Sequence, residues 1–305
     1  MASMKKKNGA LAALALTLAL GTAACSDGVG VGGTTRLQVL LTDAPIDYVG
    51  AAMVDIGAVV LVPADGGPHI TLSEDGTDGP VNLLEFQDAA TAILAEVEIE
   101  AGSYSQLRLI VESASVTLAV PYTFTDGSTT KNLTVPSGAQ TGIKLLLGAG
   151  DGDGEDGALQ IPPGDVVLVV DFDVSRSFVI QGNPLTPAGI HGMHFRPTLR
   201  VVVRDVAGSI SGAVSTLLDS TLVDSLAVTA VPVDEGLLEA YQTSTATGRT
   251  RADGTYTLPF LVPGAYTVRV TPPDTTLDAA PDSIRVLVRE DEDVMGVNFT
   301  IDSIP

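Results

Sequence analysis

The chain has 305 residues, of which 16 are Lys or Arg and 37 are Asp or Glu, so its net charge near neutral pH is −21. This excess of acid disfavours binding to nucleic acid and to anionic lipid headgroups, because that attraction needs clustered Lys and Arg; it favours cations or basic partners. An apolar fraction of 45% excludes a disordered chain, and the length allows two domains with separate cores.

The N-terminal segment has the three parts of an export signal. Residues 5–7 are lysines, residues 10–20 are apolar, and small residues at 21–24 precede Cys25, the one cysteine of the chain. The apolar stretch is shorter than the about 20 residues that span a bilayer. We predict a signal peptide over 1–24, whose removal leaves 13 basic and 37 acidic residues, a net charge of −24.

With Cys25 at its end, the segment resembles the lipobox of bacterial lipoproteins. The resemblance implies that Cys25 carries acyl chains and holds the protein to a membrane, and several acyl chains suffice for stable anchoring. Ser26 after the cysteine resembles the outer-membrane sorting pattern, so the expected location is the outer membrane of a Gram-negative cell envelope. A plain secretory signal is the alternative. Residues 25–35 are rich in Gly and predict a flexible tether.

From residue 36 onwards, short apolar stretches alternate with turn residues, as is typical of β-strands. The strand candidates are 37–42, 51–62, 103–111, 116–120, 122–124, 132–135, 143–147, 166–174, 199–203, 209–214, 226–233, 254–260, 265–270, 283–289 and 297–301. Residues 83–96 are the one helix candidate.

The strand candidates also predict which side chains face the core. Residues 166–174 are apolar almost throughout, as expected of a central strand buried on both faces. Alternation places Leu107, Leu109 and Val111 on one face, and places Tyr256, Leu258 and Phe260 together on another. Asp126-Gly127 and Asp253-Gly254 predict tight turns.

Strands without alternating helices indicate an all-β fold, a sandwich or barrel rather than a parallel α/β sheet. We predict two β-sandwich domains, over residues 36–205 and 206–305.

The first of these domains resembles a known family. The stretches that carry the resemblance are LTDAP at 41–45, GSYSQLRL at 102–109, PSGAQTGIKL at 136–145, DFDVSRS at 171–177 and RPTLRV at 196–201. They are similar to the domain of unknown function numbered 4382, which is common in exported bacterial lipoproteins. The resemblance implies no particular activity.

The second domain is similar to carboxypeptidase regulatory-like domains, which have a transthyretin-like, carbohydrate-binding-like sandwich. The stretches GSISGAV at 208–214, ADGTYTL at 252–258 and VPGAYTV at 262–268 carry the similarity. It implies a non-catalytic spacer or binding unit, and a shared fold does not by itself imply sugar binding.

An acidic, glycine-rich loop is the candidate metal site. Asp151, Asp153 and Glu155 match the first three ligand positions of a calcium loop, and calcium takes six to eight oxygens. Asp156 stands where such a loop has its Gly, and Pro162 where it has its Glu. A solvated acidic turn is the alternative interpretation.

Aromatic side chains are the candidate ligand-binding residues. Tyr122, Phe124 and Tyr241 could stack on a sugar, although the chain has no Trp. Packing in the core or at a sheet edge is the alternative.

Few residues suggest catalysis. His191 and His194 are too few for a zinc site without Cys, and the chain has no Gly-x-Ser-x-Gly motif. Asp171 and Asp173 lie two apart on a predicted strand, where they could form a glycosidase pair or meet Lys144, Arg176 or Arg200. Asp43 is expected to cap the turn before Pro45.

We therefore predict a non-enzymatic envelope lipoprotein that needs no cofactor. Its β domains would act as structural or interaction modules with an envelope protein or glycan as partner, and nucleic acid is not expected as a partner. The alternatives are a carbohydrate-binding protein acting through its C-terminal domain and a calcium-stabilised surface adhesion module.

Overall fold

β-Strands form nearly all of the regular structure. The computed structural model describes residues 33–303 with gaps at 45–47, 88–89, 137–140, 148–157, 185, 187, 217, 219–222, 234–244 and 273–275. In this part of the chain the helical segments are α1 (Val174–Ser177) and the 3₁₀ turns Leu83–Phe86 and Arg204–Val206. None of them has the length and apolar content that crossing a membrane requires. The all-β prediction is confirmed.

The first sandwich consists of two sheets that enclose one core. Its strands are β1 (Thr34–Ala44), β2 (Val49–Pro63), β3 (Ile70–Ser73), β4 (Val81–Asn82), β5 (Ala92–Glu100), β6 (Gly102–Leu118), β7 (Thr130–Leu133), β8 (Ile143–Leu146), β9 (Leu159–Ile161), β10 (Gly164–Asp173), β11 (Phe178–Asn183), β12 (Gly189–Phe195) and β13 (Leu199–Val203). One sheet has the order β13-β10-β1-β5; in the other, β3-β2-β6-β7 is extended by β4 on β2 and by β8 and β9 on β6. β11 and β12 form a separate hairpin.

Side-chain alternation fills the first core as the sequence predicts. Leu107, Leu109 and Val111 of β6 are buried in one apolar cluster with Leu37 and Leu41 of β1. β1 lies inside its sheet, parallel to β10 and antiparallel to β5. Both sheets therefore share one apolar interior, which is what defines a sandwich.

The second sandwich is smaller. Its strands are β14 (Gly208–Thr216), β15 (Ala227–Pro232), β16 (Ala246–Arg249), β17 (Thr255–Leu261), β18 (Gly264–Val270), β19 (Leu277–Ala280), β20 (Ile284–Val288), β21 (Asp293–Val294) and β22 (Phe299–Ser303). One sheet has the order β17-β14-β22-β19 with β21 on β14, and the other has the order β16-β15-β18-β20. A separate apolar cluster lies between them.

Gly212 of β14 shows how tightly the second sandwich is packed. A Cβ atom there would lie 1.8 Å from the carbonyl oxygen of Val297. The same oxygen accepts a 2.6 Å hydrogen bond from the buried hydroxyl of Tyr256. Burial raises the pKa of Tyr256, so the hydroxyl remains a donor.

The predicted helix over 83–96 is wrong. Asn82 caps a single 3₁₀ turn by accepting a hydrogen bond from the amide of Leu84 at 3.4 Å. β5 then begins at Ala92 and pairs with β1. The alternation of Val97 and Ile99 with glutamates in β5 has a period of two, which a helix cannot use.

Three strand candidates also differ from the structure. Residues 103–111 and 116–120 belong to one strand, β6, which has an extra residue at Glu112 where the pairing register with β2 shifts. Such a bulge lets two polar residues interrupt the apolar alternation without ending the strand. Residues 122–124 do not form a strand, and Phe124 makes one isolated bridge, with Ile190.

Candidate functional site

The outer face of the β13-β10-β1-β5 sheet is apolar where the second sandwich covers it. Leu40, Val169 and Val202 are buried there, and Phe260 and Val262 of the second sandwich pack against them. We call this contact the joint. It explains why β10 is apolar on both faces, as the sequence predicts for a central strand.

Phe260 reaches the joint because β17 contains a bulge. The pairing of β17 with β14 shifts between the Leu258 and Leu261 positions, and Phe260 has a left-handed φ of 55°. Leu258 and Leu261 are buried in the second core, while Phe260 turns away from it. The predicted common face of Tyr256, Leu258 and Phe260 is therefore wrong for Phe260, because the bulge reverses its direction.

A buried arginine joins the two sandwiches by hydrogen bonds. Arg200 of β13 stands opposite Asp171 of β10. Its Nε donates to Asp171 Oδ2 at 2.7 Å, and its Nη2 lies 2.5 Å from the same oxygen. Nη1 donates to the carbonyl oxygen of Phe260 at 2.7 Å, and Nη2 to that of Pro259 at 3.3 Å.

Both side chains of this ion pair are 9% exposed. At such burial the guanidinium needs its full set of acceptors, and here the second sandwich supplies two of them. Arg200 therefore helps to hold the second sandwich in place against the first.

Asp173 has a structural role at the end of β10. Its Oδ1 accepts hydrogen bonds from the amide of Arg176 at 3.0 Å and from the hydroxyl of Ser175 at 2.6 Å, so it caps α1. Burial raises the pKa of Asp173, and the charge of Asp171 adds to that rise. Of the three predicted partners of the Asp171–Asp173 face, the structure brings Arg200 to Asp171.

An open groove of about 460 Å³ lies beside the joint. It is lined by Arg204, Ala207, Gly208, Ser209, Ser211, Thr257, Pro259, Phe260, Asp293 and Met295. The hydroxyl of Ser209 donates a hydrogen bond to Asp293 Oδ1 at 2.5 Å, so these two polar groups of the groove are hydrogen-bonded to each other. The groove has a mixed lining, with Met295 exposed at its rim.

Two of the predicted ligand-binding aromatics are engaged in packing. Phe124 is 1% exposed, and the Nζ atom of Lys131 lies 4.7 Å above its ring centre. Tyr122 is half-buried, packs against the first core and meets Tyr48 edge-to-face at 5.0 Å between ring centres. The ring face of Phe124 is thus already covered.

The remaining predicted residues fall in two groups. Cys25, the three calcium candidates and Tyr241 lie outside the described residues; the calcium candidates are Asp151, Asp153 and Glu155. His194 lies within the described part, where its Nε2 is 2.5 Å from Nε2 of Gln181. Among the residues that the structure describes, no three His, Cys, Asp or Glu side chains are grouped as a metal site.

Sequence reasoning missed the joint itself. One sequence feature pointed towards it: Arg200 interrupts an otherwise apolar strand, and an arginine in such a position needs an acidic partner. Its bonds to Pro259 and Phe260 depend on a bulge that no periodicity shows.

The chain has distant similarity to several solved structures. The Bacillus anthracis TIE protein is 10% identical over 90% of this chain, with a TM-score of 0.25, and this chain spans 34% of that protein. The minor pilin GBS52 of Streptococcus agalactiae is 11% identical over 88% of this chain and 96% of its own, with a TM-score of 0.25. The shaft pilin SpaA of Lactobacillus rhamnosus GG is 10% identical over 90% of this chain and 99% of its own, also with a TM-score of 0.25.

Comparison with curated proteins gives no match. A family model does match. It is the domain of unknown function DUF4382, and it covers residues 34–187, half of the chain and most of the first sandwich. The chain belongs to the DUF4382 family.

Proposed function

We propose that this protein is a non-enzymatic lipoprotein of the cell envelope, held to the outer membrane by acyl chains on Cys25, whose two sandwiches act as one interaction module. The observation that carries the proposal is the joint. Apolar packing and the bonds of Arg200 fix the second sandwich on the first, which suits a scaffold that presents surfaces to a partner.

The sequence supports the anchoring part of the proposal. Cys25 is the one cysteine and directly follows the small residues at the end of an apolar segment. The second sandwich, with its resemblance to carboxypeptidase regulatory-like domains, would be the binding or spacer unit of the module.

Mass spectrometry of the mature N-terminal peptide tests the anchor directly. The expected result is a peptide that begins at Cys25 and carries acyl chains, and loss of membrane association in the Cys25→Ala variant. Ser26→Ala serves as the control, because it leaves the thiol in place. An unmodified Cys25 in a fully water-soluble native protein would contradict the proposal.

A further inference from the structure

The outer face of the β16-β15-β18-β20 sheet has an unusual composition for so acidic a chain. Alternation and register place ten residues on this face, and all ten are half-buried or exposed. They are Thr247 and Arg249 of β16, Ala227, Thr229 and Val231 of β15, Ala265, Thr267 and Arg269 of β18, and Arg285 and Leu287 of β20. Three are arginines and none is acidic. We call this surface the arginine face.

Strand register places the three arginines on one diagonal. Arg249 is paired with Ala227, Arg269 with Thr229, and Arg285 with Thr267. With ordinary strand spacing and rise, Cα atoms are about 12 Å apart between Arg249 and Arg269 and about 8 Å apart between Arg269 and Arg285. The positive charges therefore form a line of about 20 Å across the sheet.

Two arginines of this line, Arg269 and Arg285, have no carboxylate partner among the described residues. Neither Arg269 nor Arg285 forms an ion pair or side-chain hydrogen bond within the residues that the structure describes. Arg249 donates to the carbonyl oxygen of Ser225, which orients its guanidinium. Elsewhere Arg36, Arg200 and Arg289 each pair with an acid.

The surroundings of the face restrict what can bind to it. The rest of the chain carries a large negative charge, which repels any broad acidic surface such as an anionic membrane or a globular acidic protein. Charge interactions fade over about 8 Å at physiological salt, so a thin anionic chain lying along the diagonal meets mainly the arginines. Threonine hydroxyls, which donate and accept hydrogen bonds, lie beside the arginines, and exposed Leu287 lies just beyond Arg285 on β20.

We propose that the arginine face binds a thin, carboxylate-bearing polysaccharide, with Arg249, Arg269 and Arg285 pairing successive carboxylates and the threonines bonding sugar hydroxyls. Carboxylates of the polysaccharide would pair with the arginines, and sugar hydroxyls would form hydrogen bonds with the threonines. A site for an acidic peptide would need more positively charged residues at the positions where this face has threonine. This inference rests on the proposed function, because it names the partner of the interaction module.

Binding is measured on the full acylated chain held in discs of neutral lipid, with polygalacturonate in solution as the probe. Fully methyl-esterified polygalacturonate is the matched control, since it has the same backbone without the charges. We expect saturable binding of polygalacturonate that weakens as salt is added, and binding at least tenfold weaker for the ester, on the order of the loss expected when exposed ion pairs are removed.

The matched variants are the double substitution R269Q/R285Q and the single substitution R196Q. Arg196 is exposed but lies on the first sandwich, outside the arginine face. The double variant should bind about tenfold more weakly than the wild-type chain, since each exposed pair contributes a few-fold. R196Q should bind as the wild type does, and both variants should give unchanged circular dichroism.

Three results would overturn the inference: no binding of polygalacturonate, equal binding of its ester, or no loss in R269Q/R285Q. Tighter binding of poly-L-glutamate than of polygalacturonate would overturn it too and would assign an acidic peptide instead. The acylation of Cys25 is read separately by mass, so failure of this inference and failure of the proposed anchor are distinguishable.

Discussion

The two four-stranded sheets have outer faces that use arginine in opposite ways. On the first sandwich the face is covered by the second sandwich, and its Arg200 is buried and bonded to a carboxylate and two carbonyls. On the second sandwich the face is open, and Arg269 and Arg285 have no acidic partner among the described residues. A covered arginine fixes the fold, whereas an uncovered one is available to a partner.

The comparison predicts that removal of the buried arginine has the largest effect on stability. Arg200→Ala leaves the carboxylate of Asp171 buried without its counter-charge, which should lower the free energy of unfolding by about 3–5 kcal/mol. Urea denaturation followed by circular dichroism measures the loss.

Replacement of both partners provides the control for that experiment. Arg200→Met combined with Asp171→Leu removes the ion pair without leaving a buried charge, so it should recover most of the lost stability. Equal stability of Arg200→Ala and the wild type would show that the joint does not depend on this pair.

Apolar packing at the joint should have the next largest effect. Val169 is fully buried there. Val169→Ala should lower the free energy of unfolding by about 2 kcal/mol, because it removes buried methyl groups and leaves a cavity in the joint. Val231→Ala on the arginine face is the matched control. Val231 is 40% exposed, so its truncation should cost under about 1 kcal/mol. Equal losses in the two variants would contradict the distinction between a covered and an open face.

Asp173 makes the stability of the covered side depend on pH. Its folded pKa is raised above 3.8, so the folded state retains a proton that the unfolded state releases. The contribution of this group to stability is complete below pH 3.8 and is lost as pH rises through the raised pKa.

Asp173→Asn should remove that pH dependence, because an amide can still cap α1 through its oxygen. The difference in unfolding free energy between variant and wild type should shift in favour of the variant as pH rises from 3 to 7. Exposed Asp205→Asn is the control for the change from carboxylate to amide. A constant difference for Asp173→Asn across this range would be inconsistent with a buried, proton-retaining carboxyl.

The open face should give the smallest effect on stability. Arg269→Gln and Arg285→Gln remove exposed charges that have no partner among the described residues, so each should change the free energy of unfolding by less than about 0.5 kcal/mol. Thermal melting of each variant checks this. A loss near that of Val169→Ala would mean that these arginines hold the second sandwich together.

Period-two alternation explains what could be predicted from the sequence. It placed Leu107 and Leu109 in the core and showed that β10 is buried on both faces. The turns at Asp126 and Asp253 were also predictable from the sequence. Each carboxylate accepts hydrogen bonds from the amide and hydroxyl of the Ser or Thr two residues later.

Features that depend on pairing between distant strands could not be predicted. The bulge that turns Phe260 into the joint exists because β17 pairs with β14 on both sides of it. The polar residues Glu112 and Ser113 suggested a break in β6, because the bulge that accommodates them becomes visible only when β6 is paired with β2. Asp171 had three basic candidates, and the pairing of β10 with β13 decided among them.

The interior position of β1 has a consequence for the order of folding. Thr35 pairs with Gly164 over a hundred residues away, and the sheet is completed by β13 near residue 200. The first strand to leave a ribosome or export channel must therefore wait for its neighbours with its backbone unpaired. Such long-range pairing slows folding and leaves unpaired strands open to aggregation. We therefore expect the chain to need a chaperone that prevents aggregation until β13, which contains Arg200, has emerged.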